Sequence, residues 1–335
     1  MDMPGYRVDC GWAVHELAVS SKTGRLPLVS VVVPAFNNAP YIGAAIESID
    51  AQNYQPLEII VVDDGSTDDT EQAVCSFRHV QYIRQENAGP ARARNVGIQK
   101  SHGEFVAFLD ADDLWTAGKL STQLDILNKH PDAALVFGDM KGFGVGIGAE
   151  PTMYEKYALG ENYFGPGGLV IQAVQKLLKM NFIPTGTVVA RRHAIIDAGL
   201  FDESLKVVED WDLWLRIALR HPIAYAGHVV MLRRLHGANT SKQTEAMSIA
   251  ALKVIEKLGA NEGAALQRAS ADVNCHLRDG YRNLGYYYLR QLALQQARAA
   301  FLRSLSFGLH WRTSIYLAST FLGAGLVRSM MRARR

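Results

Sequence analysis

Three carboxylates within four residues directly follow an apolar run of the chain. The run covers residues 105–109, and Asp110, Asp112 and Asp113 come after it. The run is typical of a buried strand, where such charge is tolerated only if a cation meets it. Alternate strand residues share a face, so Asp110 and Asp112 can converge on one hard cation such as Mg²⁺ or Mn²⁺. A solvated Asp-rich turn is the alternative, and the pattern leaves open whether Asp113 rather than Asp110 takes part.

Two earlier apolar runs also end in polar residues. Runs 28–33 and 57–62 end at residues 34–37 and at Asp63-Asp64. Amphipathic helical patterns alternate with the runs, which predicts an α/β fold with a mostly parallel sheet and helices on both faces. Ligands of such sheets bind beyond the carboxyl ends of the strands. We therefore expect the polar strand ends to form one site.

Another pair of acids lies at the start of a predicted helix. Glu209 and Asp210 precede a helical face formed by Trp211, Trp214, Leu215 and Ala218. The helix dipole favours negative charge at this end. Simple N-terminal capping is therefore the alternative to a chemical role for these two side chains.

The composition excludes several classes of protein. The chain has 335 residues, 48% hydrophobic and 20% charged, with a formal net charge of +2. This charge is too near neutral to indicate nucleic-acid binding. Three distant cysteines without a CxxC pair indicate neither a disulfide framework nor a zinc site. No secretory signal is evident, and no apolar stretch reaches the ~20 residues that a spanning helix needs. We expect a cytoplasmic protein.

The last third of the sequence has a different, wholly helical pattern. We predict a leader at 1–26, a catalytic domain at 27–242 and a helical extension at 243–335, in which residues 279–309 resemble one tetratricopeptide-type helix pair. Residues 311–335 are apolar and then basic, with Arg328, Arg332, Arg334 and Arg335 at the end. This predicts contact with the anionic inner face of a membrane. The alternative is a helix packed on the catalytic domain, and oligomerisation through the tail is a further expectation.

Six ordered motifs give the sequence a family resemblance. They are VVVPAFN at 31–37, VDDGSTD at 62–68, GPARARN at 89–95, LDADD at 109–113, GLFDE at 199–203 and EDWDLW at 209–214. The set resembles the family 2 glycosyltransferases, which have the GT-A fold. The resemblance covers about residues 28–241 and leaves the leader and the helical tail outside.

The resemblance implies roles for individual residues. The residues that it places at the nucleotide are Pro34, Ala35, Asn37, Asp63, Asp64, Arg94 and Asp110, and Asp64 is favoured over Asp63 as the partner of the base or ribose. Asp110 and Asp112 form the Asp-x-Asp motif that holds a metal and the diphosphate. Asp210 matches the general base. His236, in an Arg-x-His-x-x-Asn-x-Ser pattern, approaches the diphosphate or the metal.

The implied reaction is an inverting sugar transfer that depends on Mn²⁺ or Mg²⁺. The donor is a nucleotide sugar, with UDP favoured, and the acceptor is a glycan or lipid-linked hydroxyl in polysaccharide or glycoconjugate synthesis. The Gln-x-x-Arg-Trp motif of processive members is absent, so we expect a non-processive enzyme. The alternatives are a nucleotidyltransferase, against which the lack of a glycine-rich basic loop at 37–40 argues, and an inactive nucleotide-sugar binder or scaffold.

Overall fold

The computed structural model describes residues 7–8, 26–144, 150–235 and 244–322. His236 and the basic end at 323–335 lie outside the described residues. Compactness divides the chain into two units: Met1–Ala173 with Asn181–Asn239, and Val174–Met180 with Thr240–Arg335. The short segment Val174–Met180 groups with the helical unit, which the sequence patterns did not predict. The boundaries that we predicted at residues 26 and 242 stay a prediction.

The first unit contains a mixed sheet. Its strands are β1 (Arg7–Val8), β2 (Val29–Ala35), β3 (Leu57–Asp63), β4 (Val80–Arg84), β5 (Phe105–Phe108), β6 (Leu114–Trp115), β7 (Leu135–Phe143), β8 (Val189–Arg191) and β9 (Ile223–Arg234). They lie in the order β1-β4-β3-β2-β5-β8-β7-β9-β6. The short strand β1 falls in the predicted leader and pairs with β4.

The run β4-β3-β2-β5 is parallel throughout, so the carboxyl ends of these strands meet at one edge. This confirms the predicted α/β fold with a mostly parallel sheet. Strand β8 is antiparallel to both of its neighbours, and strands β1 and β6 pair antiparallel at the two edges. An apolar run has the same composition in either direction, so the sequence did not predict these reversals.

Helices cover both faces of the sheet. They are α1 (Ile42–Asp50), α2 (Thr70–Cys75), α3 (Pro90–Lys100), α4 (Lys119–Lys129), α5 (Met153–Tyr157), α6 (Glu161–Phe164), α8 (Arg192–Asp197) and α9 (Glu209–Ala218). Strand residues such as Val31 and Ile59 share a core cluster with α1 and α4. The alternate residues Ile60 and Val62 pack against α3. The α2 residue Cys75 is disulfide-bonded, which the cysteine spacing did not predict.

The second unit is helical. It contains most of α7 (Ala173–Lys179), with α10 (Thr244–Asn261), α11 (Gly263–Arg268), α12 (Val273–Arg290), α13 (Leu294–Ser306) and α14 (Trp311–Ser319). Helices α12 and α13 pack together around Leu289, Ala297 and Phe301, as expected for the predicted helix pair. Within the described ranges, no helix combines the length and the apolar composition needed to cross a membrane.

Gly97 is expected to be essential for packing α3 on the sheet. A Cβ atom there would lie 2.3 Å from Cγ1 of Val32 on β2. Gly97→Ala should therefore destabilise the fold by about 1–3 kcal/mol through overpacking. The matched control is Gly43→Ala on α1, where the nearest atoms, in Phe77, are 4.0 Å away. This control should be neutral or gain up to about 1 kcal/mol from helix propensity. Chemical denaturation measures both, and equal stability of the two variants would contradict the close packing of α3.

Candidate active site

A buried arginine joins two acidic segments at the carboxyl edge of the sheet. Arg94 on α3 is 6% exposed. Its Nη2 donates to Oδ1 of Asp110 and its Nη1 to Oε1 of Glu209, each at 2.8 Å. Its Nε has no hydrogen-bond partner among the described residues. Burial lowers the pKa of Arg94, but the carboxylates of Asp110 and Glu209 raise it above its usual range. The guanidinium therefore stays charged and fixes the end of β5 against the start of α9.

The acidic turn after β5 contains two accessible carboxylates and one buried carboxyl. The Asp110 side chain is 41% exposed and that of Asp112 is half-buried. Asp113 is buried and accepts a hydrogen bond from the backbone N–H of Arg234 at 2.8 Å. Burial raises the pKa of Asp113 to about 8, and the charges of Asp110 and Asp112 contribute to the rise. The turn thus places three carboxyl groups close together, two of which are accessible.

Asp210 is held by three neutral donors, two of which come from a different segment. Its Oδ2 accepts from Oγ1 of Thr185 at 3.0 Å, and its Oδ1 from Nδ2 of Asn181 at 3.2 Å and from the N–H of Trp211 at 2.7 Å. Burial raises the pKa of Asp210 to about 6, and the charge of Glu209 adds to the rise. The pKa is therefore close to physiological pH, where a carboxylate can accept a proton and release it.

An aromatic cluster and an amide hold this arrangement in place. Phe201 packs edge-on against Phe108 and Trp214, with ring centroids 5.6 and 6.0 Å apart, and the guanidinium of Arg94 lies 5.5 Å from the Phe201 ring. Asn95 donates to the carbonyl of Phe201 and accepts from its N–H, both at 2.9 Å. These contacts fix the motif at 199–203 between α3 and α9.

The loops after β2 and β3 are tied to each other. The N–H of Asn37 donates to Oγ of Ser66, and Oδ1 of Asn37 accepts from the N–H of Thr67, each at 2.8 Å. Asn37 has a φ of 53°, a left-handed conformation that asparagine tolerates better than most residues. The carbonyl of Ala35 accepts from the N–H of Asp64 at 2.8 Å. The two predicted nucleotide loops therefore form one surface.

The two acids that end β3 have different surroundings. Asp63 is fully buried and accepts from the N–H of Ser66, the hydroxyl of Tyr82 and the guanidinium of Arg84. Asp64 is 5% exposed and accepts from the side-chain amide of Gln85 and from the N–H groups of residues 88 and 89. Asp63 fixes its own turn, whereas Asp64 fixes the loop that leads into α3.

The structure brings most of the predicted site residues to this edge. Those within the described residues are Pro34, Ala35, Asn37, Asp63, Asp64, Arg94, Asp110, Asp112 and Asp210, and their predicted roles toward ligands stay predictions. His236 lies outside the described residues. Asn181 and Thr185, the partners of Asp210, were not predicted from the sequence. Their polar side chains in the otherwise apolar segment 181–188 were the only signal, and nothing in the local pattern indicated which strand end they would meet.

The acidic turn offers carboxylate oxygens to a divalent cation. Within the ranges that the structure describes, no group of three or more His, Cys, Asp or Glu side chains is arranged to hold a metal ion. Asp110 and Asp112 supply carboxylate oxygens from one turn, and both side chains are partly exposed. One or two carboxylates suffice for Mg²⁺ or Mn²⁺ when substrate phosphates and water complete the coordination. The residues therefore fit a cation that is held jointly with a diphosphate.

Comparisons with known proteins agree with this geometry. The sequence profile described as "Glycosyl transferase family 2" matches residues 30–196. An uncharacterised glycosyltransferase of Rickettsia typhi is 32% identical over 280 residues, which are 80% of this chain and 84% of the relative.

Two solved structures show the same fold at low sequence identity. S. aureus TarS 1–349 in complex with UDP matches with a TM-score of 0.62 and 18% identity, over 92% of each chain. TarS 1–349 has also been solved in complex with UDP-GlcNAc. The mannosyltransferase PcManGT from Pyrobaculum calidifontis, in complex with GDP-Man and Mn²⁺, matches with a TM-score of 0.57 and 20% identity, over 88% of this chain and 80% of that one. Because the strand-end motifs lie within the profile and the Rickettsia relative is matched over most of its length, the chain belongs to the family 2 glycosyltransferases and has their GT-A fold.

Proposed function

We propose that the chain is a metal-dependent, inverting, non-processive glycosyltransferase that moves a sugar from a UDP-sugar to a hydroxyl group of a glycan or lipid-linked acceptor. The observation that supports this most strongly is the Arg94 bridge. It fixes the acidic turn at 110–113 and the base candidate Asp210 on adjacent elements of one edge. A donor diphosphate and an acceptor hydroxyl need groups of these two kinds on opposite sides of the anomeric carbon.

Asp210 acts as the general base. The acceptor oxygen attacks the anomeric carbon while a carboxylate oxygen of Asp210 takes the hydroxyl proton. The bond between the anomeric carbon and the diphosphate oxygen breaks at the same time, and the nucleoside diphosphate leaves with that electron pair. One displacement of this kind inverts the anomeric centre. Thr185 and Asn181 hold the carboxylate so that its remaining lone pairs can face the acceptor.

The acidic turn serves the leaving group. Asp110 and Asp112 would hold Mn²⁺ or Mg²⁺ together with the donor diphosphate, and His236 would approach the diphosphate or the metal. When bound, the cation supplies positive charge that neutralises the departing diphosphate. Asp113 accepts the backbone N–H of Arg234 beneath the turn, and the hydrogen bond from Arg94 holds Asp110 in place.

The nucleotide lies on the joined loops after β2 and β3. Pro34, Ala35 and Asn37 border it, and Asp64 contacts the base or ribose. Asp63 supports this surface from below through its buried hydrogen bonds. The choice of UDP rests on the TarS complexes, whereas PcManGT was solved with GDP-Man.

The experiment that tests this function separates binding from chemistry with two variants. Asp112→Ala should lose Mn²⁺-dependent UDP binding in calorimetry, because a ligand to the cation is gone. Asp210→Asn should keep that binding but lose roughly 10²–10⁴-fold in kcat, because asparagine cannot take the proton. For the wild type, activity should be about half of its plateau near pH 6, the pKa of Asp210, and fall further as the pH drops below it.

The control is Asp125→Ala, which removes an exposed carboxylate on α4 and should change neither readout. Unchanged Mn²⁺-dependent affinity in Asp112→Ala would refute the metal assignment. Activity of Asp210→Asn within about threefold of wild type would return Asp210 to helix capping, which contributes ~1 kcal/mol of stability and no chemistry. Binding of UDP without any turnover in the wild type, over a wide panel of donors and acceptors, would favour an inactive binder.

The helical unit contacts an anionic membrane surface through α14. In the described part of this helix, polar side chains are buried and apolar side chains are exposed. Thr313 and Ser319 are buried, whereas Trp311 is 66% and Ile315 48% exposed. Arg312 lies beside the Trp311 ring at 5.1 Å. Exposed apolar side chains next to basic residues are typical of helices that lie in a membrane interface. The sequence beyond α14 adds Arg328, Arg332, Arg334 and Arg335. Oligomerisation through the tail and cytoplasmic location stay predictions.

Vesicle co-sedimentation tests the membrane proposal. The double variant Trp311→Gln/Ile315→Gln should lose most binding to anionic vesicles, because it removes the apolar contact. Leu302→Gln on α13 changes an apolar side chain of similar exposure, 54%, and should bind as wild type does. High salt should weaken wild-type binding by screening the arginines. Wild-type protein that stays in the supernatant with anionic vesicles would contradict the proposal.

A further inference from the structure

Two side chains hold the short turn that presents Thr185 to Asp210. The turn Thr185–Thr187 is buried and lies just before β8. Trp115 donates from Nε1 to the carbonyl of Gly186 at 2.9 Å, and Gln123 donates from Nε2 to the carbonyl of Thr187 at 2.8 Å. Thr185 in turn donates to Asp210. The carbonyl groups of Gly186 and Thr187 and the hydroxyl of Thr185 are therefore all held by hydrogen bonds.

A buried lysine orients the amide of Gln123. Lys119 is fully buried, and its Nζ donates to Oε1 of Gln123 at 2.6 Å and lies 4.3 Å from the centre of the Trp115 ring. An ammonium or amine at this distance needs an acceptor, so the oxygen of Gln123 faces Lys119 and the NH₂ group faces the turn. Burial lowers the pKa of Lys119 well below its usual value. A polar group with so little contact to water costs stability that an apolar side chain would not, which points to a positional role.

These residues belong to the segment that follows the acidic turn. Trp115 lies in β6, two residues after Asp113, and Lys119 and Gln123 lie on one face of α4. The backbone N–H of Trp115 also donates to Oγ of Ser48 on α1 at 3.1 Å, which anchors the start of this segment. The same stretch of chain therefore contains the carboxylates of the leaving-group side and the donors that hold the base side.

We propose that Trp115, Lys119 and Gln123 are positioning residues for Asp210. They fix the turn 185–187 so that the Thr185 hydroxyl points at the carboxylate, and they link the geometry of the base to that of the acidic turn. This inference rests on the proposed role of Asp210 as the general base. None of the three residues touches the reacting atoms, and each acts through Thr185.

The expected effect is on the ionisation of Asp210. The charged groups that face it are Glu209, which raises its pKa, and Arg94, which lowers it, and the Thr185 hydrogen bond also lowers it. Loss of that hydrogen bond leaves the charged groups in place and makes the ionised form less favourable. The acidic limb of the pH–rate profile should then move to higher pH, while activity on the plateau above it changes little.

The test is a set of pH profiles of kcat/KM. Trp115→Phe keeps a ring but removes the donor, and should raise the pKa of the acidic limb by about one unit, a roughly tenfold loss of rate within the limb. Plateau activity should stay within about threefold of wild type. Thr185→Val should show the same shift, and Thr185→Ser should restore the wild-type profile. Adding Trp115→Phe to Thr185→Val should give no further shift, because both act on one hydrogen bond.

The outcomes separate this inference from the proposed function. If the acidic limb persists in Asp210→Asn, the assignment of the base is wrong. If the limb belongs to Asp210 but Trp115→Phe leaves its pKa unchanged, the positioning role is overturned. A merely structural role would lower the melting temperature and reduce the rate equally at every pH, which also overturns it. Where Trp115→Phe does not fold, Gln123→Met provides the same test.

Discussion

The site depends on one buried positive charge. Arg94 neutralises a carboxylate at the end of β5 and another at the start of α9, and each of these segments is acidic enough to repel the other without it. Breaking a buried ion pair by removing one partner typically costs about 3–5 kcal/mol, because the remaining charge has no compensation. The fold therefore has to hold α3, β5 and α9 in fixed positions relative to one another. The amide of Asn95 and the Phe108–Phe201–Trp214 cluster serve this requirement.

The parallel half of the sheet explains why polar residues distant in sequence meet. Strands β4, β3, β2 and β5 all end at one edge, so every loop that follows them contributes to the same surface. Asn37 accepts a hydrogen bond from the loop at 66–67, and Asp64 accepts one from the loop before α3, so these neighbouring loops are joined. The buried side chains of Trp115, Lys119 and Gln123 connect the acidic turn to the turn that contains Thr185. Thr185 is a hydrogen-bond partner of Asp210. The acidic turn, the joined loops and the surroundings of Asp210 are thus parts of one connected framework.

Much of this arrangement could be predicted from the sequence, for physical reasons that also set the limits. The apolar runs before Asp63 and Asp110 indicated buried strands, and their alternation with helices indicated a parallel sheet. Local patterns could not reveal that β8 runs antiparallel or that β7 continues to Phe143, because neither property alters composition. Arg94 was placed near the nucleotide by resemblance, yet its bond to Glu209 joins residues 115 positions apart. Thr185 and Asn181 were not predicted for the same reason, because their role depends on Asp210, which lies in a distant element.

The coupling energy between Arg94 and Glu209 tests the role of this buried charge most directly. A double-mutant cycle with Arg94→Met and Glu209→Gln, followed by chemical denaturation, measures it. The buried bridge predicts that Arg94→Met alone costs about 3–5 kcal/mol and that Glu209→Gln recovers part of this loss, with a coupling of at least ~2 kcal/mol. The exposed pair Arg92–Glu203, whose arginine lies on the same helix as Arg94, should show less than about 1 kcal/mol. Additivity of the Arg94 and Glu209 substitutions within about 0.5 kcal/mol would contradict the claim that this buried charge holds the site together.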